Sequence, residues 1–272
     1  MGQVLGVGQV TADGAPLCLG REVTVAEVIA LIGVGILAGI VSTVASLASV
    51  VSYPALLALG LPPLSANVTN TVALLFTGVG ATAGSRPELA GQWRRAGRLG
   101  LVTAAGGAAG AALLLATPAR TFEDVAPFLI GGASLVLLLQ ARREPRPRPA
   151  GGERSPLLLA ALFCVAIYVG YFGAAGGIML LAVLTPMLAE SMARTNAVKN
   201  VVSGLANAVA AAGFALFGPV RWAFVVPLAA GFLIGGWAGP SLVRRLPGRP
   251  LRIFIACCGL ALAVKLAISA YR

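Results

Sequence analysis

The sequence predicts an all-α polytopic membrane protein, and three observations lead to this prediction. Of the 272 residues, 58% are hydrophobic and only 11% are charged. A soluble domain carries about 45–50% apolar and about 25% charged residues. The apolar residues form long runs, and arginines cluster in the short segments between them, as the positive-inside rule describes for membrane proteins. This composition argues against a soluble enzyme, a nucleic-acid-binding protein and a disordered chain.

The residue types also limit the chemistry. Histidine is absent, and the four cysteines show no Cys-x-x-Cys spacing, so we expect no metal site and no cofactor. None of the nine carboxylates lies in the middle of an apolar run, which weakens the case for an intramembrane enzyme or a proton relay. The net charge of +11 belongs to loops between apolar runs, so we expect a lipid bilayer around the chain and no nucleic-acid partner.

The first half of the chain divides into a tail, a membrane repeat and a linker. Residues 1–24 form a tail without the basic segment and short apolar core of a cleavable signal peptide. Residues 25–141 form the first membrane repeat. Residues 142–155 form a linker whose proline, glycine and arginine content is incompatible with a helix and with burial in lipid. The apolar runs of this half cover residues 23–60, 64–83, 97–116 and 122–140.

The second membrane repeat covers residues 156–270 and follows the same scheme. Its apolar runs cover residues 156–188, 192–217, 222–243 and 251–270. The first run of each half is too long for one crossing and is interrupted by small residues or proline. We therefore expect about eight transmembrane segments in total, with broken or re-entrant first segments.

A single offset of 129 residues relates the two halves. The identical pairs include asparagine, tryptophan, proline and paired glycines, which are hard to align by chance. Internal duplication around a central site is common in secondary transporters. Because the glycine pairs lie in unbroken Ala-rich runs, they predict close helix packing. The pairs are Asn67 with Asn196, Trp93 with Trp222, Gly106 and Gly107 with Gly235 and Gly236, Gly110 with Gly239, Pro118 with Pro247, and Arg120 with Arg249.

Two arrangements of the repeats are compatible with the runs. Four ordinary crossings per half give parallel repeats, but they leave the arginines of 244–252 outside, against the positive-inside rule. If each long first run enters and returns, the basic segments 86–98, 142–155 and 244–252 all lie inside, and the loop at 120–124 lies outside. We favour this second arrangement, in which the repeats are inverted.

A polar stripe on one helix of the second half is the first candidate for a binding surface. Asn196, Asn200, Ser203 and Asn207 are spaced i, i+4, i+7 and i+11, which places them on one helical face, with Lys199 beside them. Helix–helix hydrogen bonding accounts for such residues equally simply, but the density of asparagine favours a substrate-facing wall. The matching face of the first half contributes Asn67, Asn70 and Thr71.

The interruptions of the two long runs are the second candidate. Small residues there allow a helix to unwind, and a helix N-terminus inside the membrane offers N–H donors and a positive dipole end to an anion. Small-residue helix packing is the alternative explanation. The residues concerned are Ser42, Thr43 and Ser46 in the first half and Gly176 and Gly177 in the second.

The order of these stretches resembles the sulfite exporter TauE/SafE family, also called the toluene sulfonate uptake permease family. The resemblance covers roughly residues 28–270 and lies in Gly39, PALLALGLPP at 54–63, VGYFGAAGG at 169–177, Pro186, Asn196, and GGWAG at 235–239 followed by RRLP at 244–247. In the first half, Ser42 to Ser46 stands where the family has a glycine-rich break. The resemblance implies a multi-pass transporter of the bacterial inner membrane that carries sulfur-containing anions.

These observations together predict an exporter of small anions such as sulfite or organosulfonates, bound near the bilayer midplane between the two repeats. Of the twelve candidate residues, eleven supply neutral donors, and the twelfth, Lys199, supplies a counter-charge. A carrier of another small anion or metabolite, or a membrane scaffold without transport, are the alternatives. We expect no enzymatic activity.

Overall fold

The structure, a computed structural model, describes residues 23–45, 48–141, 155–173, 176–188 and 190–243, together with five isolated positions: Gly152, Cys257, Leu260, Val264 and Ile268. All regular secondary structure in these residues is helical. The helices are α1 (Val25–Ala45), α2 (Ala48–Ala58), α3 (Pro63–Gly84), α4 (Arg86–Leu89), α5 (Trp93–Ala116), α6 (Ala119–Ala141), α7 (Pro156–Tyr171), α8 (Gly176–Leu188), α9 (Met192–Phe217) and α10 (Trp222–Val243).

Apolar length identifies the membrane helices. Among the described helices, four are long and apolar enough to cross a bilayer, and α2, α7 and α8 are shorter apolar helices. The all-α polytopic membrane fold is therefore confirmed, whereas a total of eight crossings stays a prediction. The four spans are Val25–Ser42, Trp93–Ala116, Met192–Phe217 and Trp222–Gly239.

Both long first runs are broken into two helices. The first run gives α1 and α2, and the second gives α7 and α8. Gly173, between α7 and α8, has a φ of 75°, a left-handed conformation that glycine adopts without steric cost. The first break lies at the end of the predicted stretch, because α1 continues through Ser42 and Thr43 to Ala45 and α2 begins at Ala48. The backbone N–H groups of Ser42 and Thr43 lie inside α1 and are not freed for a ligand, and Ser46 lies outside the described residues.

The helices form two interleaved bundles. In the first bundle α1 and α3 pack against α10, which comes from the second half of the chain. In the second bundle α7 and α9 pack against α5, which comes from the first half. The pair α3 and α9 joins the two bundles. Each half thus donates one long helix to the other.

Glycine allows these helix backbones to approach closely. A Cβ on Gly39 of α1 would lie 2.9 Å from the backbone of Gly235 in α10. A Cβ on Gly107 of α5 would lie 2.9 Å from Cα of Ala206 in α9. Van der Waals packing drives helix association in lipid, so small residues at these crossings are what the interface requires. The close helix packing predicted from the glycine pairs is confirmed at Gly107 and Gly235.

Helices α3 and α9 run in opposite directions. They cross where a Cβ on Gly78 would lie 3.1 Å from Cα of Gly204. Ser85, the residue that follows α3, is hydrogen-bonded to Asn200, the ninth residue of α9. The C-terminal end of α3 therefore meets the N-terminal part of α9. These two helices begin at Pro63 and Met192, which the offset of 129 residues relates.

Replacement of Gly110 by alanine tests the importance of these crossings. A Cβ at Gly110 would collide with the carbonyl oxygen of Ile167 in α7, whereas a Cβ at Gly97 of the same helix meets nothing within 4 Å. We expect Gly110→Ala to lower the free energy of unfolding by about 1–3 kcal/mol through overpacking. Gly97→Ala should be neutral or slightly stabilising. Thermal unfolding in detergent measures both, and equal melting temperatures would contradict the tight α5–α7 crossing.

Candidate functional site

A neutral polar cluster lies where α2 meets α3. The side-chain amide of Asn70 donates to Ser49 Oγ at 3.2 Å, and the hydroxyl of Ser52 donates to Asn70 Oδ1. All three side chains are buried. A buried amide is stable only when its hydrogen bonds are made, and α2 provides these partners. Asn70 is the eighth residue of α3, so the first turn of α2 lies inside the span of α3, about 10 Å from its start.

Asn67 connects this cluster to the break in the other half. Its side-chain amide donates to the backbone carbonyl of Tyr171 at 3.0 Å. Tyr171 is the last residue of α7, and the final carbonyls of a helix have no partner within it. Thr71 Oγ1 donates to the carbonyl of Asn67 at 2.9 Å, and the rings of Tyr53 and Phe172 meet edge to face at 5.6 Å. We call Ser49, Ser52, Asn67, Asn70 and Thr71 the neutral cluster.

A second cluster contains the only lysine among the described residues. Lys199 is the eighth residue of α9 and only 3% exposed. Its neighbour Asn200 donates to Ser85 Oγ at 3.3 Å. One turn before Lys199, the hydroxyl of Thr195 is fully buried and has no hydrogen-bond partner among the described residues. We call Ser85, Thr195, Lys199 and Asn200 the lysine cluster.

The remaining predicted residues lie near these clusters. Asn196 and Ser203 are half-buried on α9, and Asn207 donates to Ser203 Oγ at 3.5 Å within that helix. Gly176 is buried and Gly177 half-buried at the start of α8, so they stand at a helix N-terminus as the sequence predicted.

The structure does not bring the two polar clusters into one site. Asn67 lies near the start of α3, whereas Ser85, the partner of Asn200, follows its end. Eighteen residues of helix separate these positions by about 27 Å. The predicted residues thus form two groups on opposite sides of the crossing of α3 and α9.

A third group surrounds Glu190, in the connection between α8 and α9. Gln92 Nε2 and Arg95 Nη1 donate to Glu190 Oε1 at 3.0 and 3.2 Å. Arg194 Nη1 donates to Oε2 at 3.1 Å, and its Nη2 donates to the carbonyl of Ala90 at 3.0 Å. We call Gln92, Arg95, Glu190 and Arg194 the carboxylate ring. The hydrogen bond from Gln92 holds the pKa of Glu190 below its ordinary value, and Arg95 and Arg194 act in the same direction.

Sequence reasoning missed Ser49 and Ser52 of the neutral cluster, Ser85 and Thr195 of the lysine cluster, and the whole carboxylate ring. Ser85 and Asn200 are 115 residues apart in the chain, and Gln92 and Glu190 are 98 apart. Only the packing of α4 and α5 against the second half brings them together. The sequence offers one indication for Thr195, which lies one turn before Lys199 and next to Asn196, the first residue of the polar stripe.

The groups in these clusters are suited to anions. They offer amide, hydroxyl, ammonium and guanidinium donors within a bundle of apolar helices. Within the described residues, no three His, Cys, Asp or Glu side chains come together in a way that could hold a metal ion.

The sequence pattern of the TauE/SafE sulfite exporters matches residues 31–266. The chain belongs to the sulfite exporter TauE/SafE family. The resemblance seen in the sequence is thereby confirmed. Membership of the TauE/SafE family makes the chain a multi-pass membrane transporter and implies a non-enzymatic role.

Several proteins similar in sequence to this chain are probable membrane transporters. The probable membrane transporter protein YfcA of Escherichia coli K12 is 25% identical over 238 residues, which cover 86% of this chain and 87% of YfcA. The probable membrane transporter protein ORF9 of Sinorhizobium sp is 22% identical, and the match covers 85% of this chain and 88% of ORF9. A probable membrane transporter protein of Haemophilus influenzae is 27% identical, and the match covers 77% of this chain and 82% of the relative. No solved structure matches the chain.

Acidification tests the carboxylate ring. When folding lowers the pKa of a carboxylate, the ionised group stabilises the fold, and this stabilisation is complete at pH values above the ordinary pKa, which is about 4.3 for glutamate. The stabilisation is lost as the pH falls through the lower pKa of the folded protein. At pH 7 we expect Glu190→Gln to melt below the wild type. The difference should shrink at about pH 3.5, in thermal unfolding of both proteins in detergent. Asp124→Asn, at an exposed acid of α6, is the control. A difference that does not change with pH would contradict the assignment.

Replacement of Asn67 by leucine tests the bond between the halves. The change leaves the carbonyl of the half-buried residue Tyr171 without its donor, which costs up to about 1–3 kcal/mol. We expect a matching loss in the free energy of unfolding. Asn207→Leu is the matched control, because its bond to Ser203 stays within one helix. Thermal unfolding of both variants gives the comparison, and an equal loss in the two would show that the link between halves has no special role.

Proposed function

We propose that the protein exports small sulfur-containing anions, such as sulfite or organosulfonates, across the bacterial inner membrane. The observation that carries this proposal is the burial of Lys199 within a membrane helix, beside the amide of Asn200 and the hydroxyl of Thr195. A charged side chain buried within a membrane-spanning helix is costly and is characteristic of a substrate or ion pathway. In a transporter family named for sulfite export, a cation with neutral donors around it suits a sulfur oxyanion.

The chemistry of the clusters supports an anion of this class. A sulfonate is fully charged but weakly basic, so it is held well by several donors, and bonds from a charged donor are the stronger ones. The lysine cluster offers one ammonium group with amide and hydroxyl donors. The neutral cluster offers amides and hydroxyls, and the N-terminus of α8 at Gly176 adds the positive end of a helix dipole.

The arrangement of the helices suggests a path. We place the lysine cluster on the cytoplasmic side, because it adjoins the basic segment 86–98, and the neutral cluster on the opposite side of the crossing. The antiparallel course of α3 and α9 supports inverted repeats, with the substrate passing between these clusters. The midplane site would then lie near Gly78 and Gly204. A negative cell interior favours anion exit by about 2.3 kcal/mol per charge at 100 mV.

Flux from proteoliposomes tests the proposal. Vesicles holding the protein are loaded with sulfite, a small sulfonate, sulfate or a carboxylate, and anion release is followed under an imposed membrane potential. We expect release of sulfite or the sulfonate to exceed that of the carboxylate, and Lys199→Gln to reduce it at least about tenfold, because one charge-assisted bond is worth roughly 1.5–3 kcal/mol.

Arg120→Gln is the control variant, because Arg120 is an exposed cation at the start of α6. Its flux should match the wild type. Selective release of a different anion or of a neutral metabolite would show that sulfur-containing anions are not the substrates, and the released compound would take their place. Absence of flux from a normally folded protein would favour a membrane scaffold without transport.

A further inference from the structure

The carboxylate ring holds a carboxylate in the manner of a bound anion. Both oxygens of Glu190 accept hydrogen bonds, and the three donor groups come from Gln92, Arg95 and Arg194 at 3.0 to 3.2 Å. Gln92 also accepts from Arg95 at 2.9 Å, which fixes the two donors relative to each other. Donors from both halves, Gln92 and Arg95 from the first and Arg194 from the second, therefore hold a negatively charged group.

We propose that Gln92, Arg95 and Arg194 form an anion-binding site that Glu190 occupies until a sulfur oxyanion replaces its carboxylate. This inference rests on the proposed function. A sulfonate or sulfite group presents two or three oxygens with the same preference for guanidinium and amide donors as a carboxylate. Glu190 thus acts as a tethered competitor for the incoming anion.

The position of the ring fits an entry site. The side chains of Arg95, Glu190 and Arg194 are 24%, 26% and 41% exposed, so water and solutes reach them. Arg194 directly precedes Thr195 of the lysine cluster, and Lys199 lies five residues further along α9. The ring and the lysine cluster therefore adjoin each other along the first turns of α9.

Displacement of Glu190 needs little rearrangement. Glu190 and Ser191 lie outside the helices, between α8 and α9, so the carboxylate can turn away while the arginines stay on α5 and α9. Ion pairs that are partly exposed to water contribute little net stability, so a solute anion can compete with the tethered carboxylate. A competitor on a short tether occupies the donors for part of the time, and this lowers the apparent affinity of every solute anion by the same factor.

Removal of the competitor tests the site. The probe is methanesulfonate, titrated into the purified full-length protein in detergent at constant ionic strength, with binding measured by calorimetry. We expect Glu190→Gln to lower the apparent Kd by roughly two- to sixfold relative to the wild type, because the internal anion, held no more tightly than a partly exposed ion pair, no longer occupies the donors. The double variant Arg95→Gln with Glu190→Gln should lose this gain. Asp124→Asn, which removes an exposed acid elsewhere, should bind like the wild type.

An unchanged or higher Kd for Glu190→Gln would overturn the inference. If this variant does not fold, Glu190→Asp provides the same test, since a shorter side chain competes less well and should lower the Kd. An unchanged Kd in that variant overturns the inference equally. Flux separates the two proposals. If the wild type transports sulfonate but neither Glu190 variant binds methanesulfonate more tightly, the entry site is refuted and the proposed export is not. Tighter binding in Glu190→Gln without any flux supports the site and refutes export.

Discussion

Hydrocarbon offers no hydrogen-bond partner to a peptide group, so a helix that ends inside the membrane must be capped by the protein itself. At the end of α7, within the helix bundle, the side-chain amide of Asn67 donates to the carbonyl of Tyr171. The break between α7 and α8 therefore depends on a residue from the other half of the chain. The same constraint explains why polar side chains on α3 are buried in an otherwise apolar bundle.

The interleaved packing follows from a second property of lipid. Because apolar side chains gain little by leaving lipid for one another, contact area and close approach decide which helices associate. Gly39 and Gly235 bring α1 and α10 together, and Gly107 brings α5 against α9. Glycine in these helices lowers intrinsic helix propensity, and the tight crossings offset that cost. The same crossings fix α3 and α9 relative to each other, and with them the two polar clusters.

Much of the fold could be predicted from periodicity and composition. Two predicted apolar runs, 192–217 and 222–243, coincide with α9 and α10, because turn-forming residues such as Gly218 and Pro219 end the first of them. In the first half, most of the stretch predicted to be broken, 42–46, is helical as far as Ala45. Hydroxyl side chains such as Ser42 tolerate a helix when neighbouring residues pack well, so their presence alone does not locate a break.

The site was harder to predict than the fold. Periodicity identified Asn67, Asn70, Lys199 and Asn200 as polar residues on helix faces, and the structure finds three of them buried to 95% or more with hydrogen-bond partners of known identity. It could not reveal that the two groups are about 27 Å apart, because the antiparallel course of α3 and α9 is a tertiary property. Contacts such as Gln92 with Glu190 join segments nearly a hundred residues apart, and no local pattern encodes them.

The exchange of helices between halves also has a consequence for biosynthesis. Helix α1 enters the membrane early, yet its main partner α10 begins only at Trp222. At about 5–20 residues per second, the ribosome needs roughly ten to thirty seconds to make the intervening chain. During that interval the glycine-lined face of α1 and the polar face of α3 lack their final neighbours. The bundle of α1, α3 and α10 therefore reaches its final packing only after α10 has been synthesised.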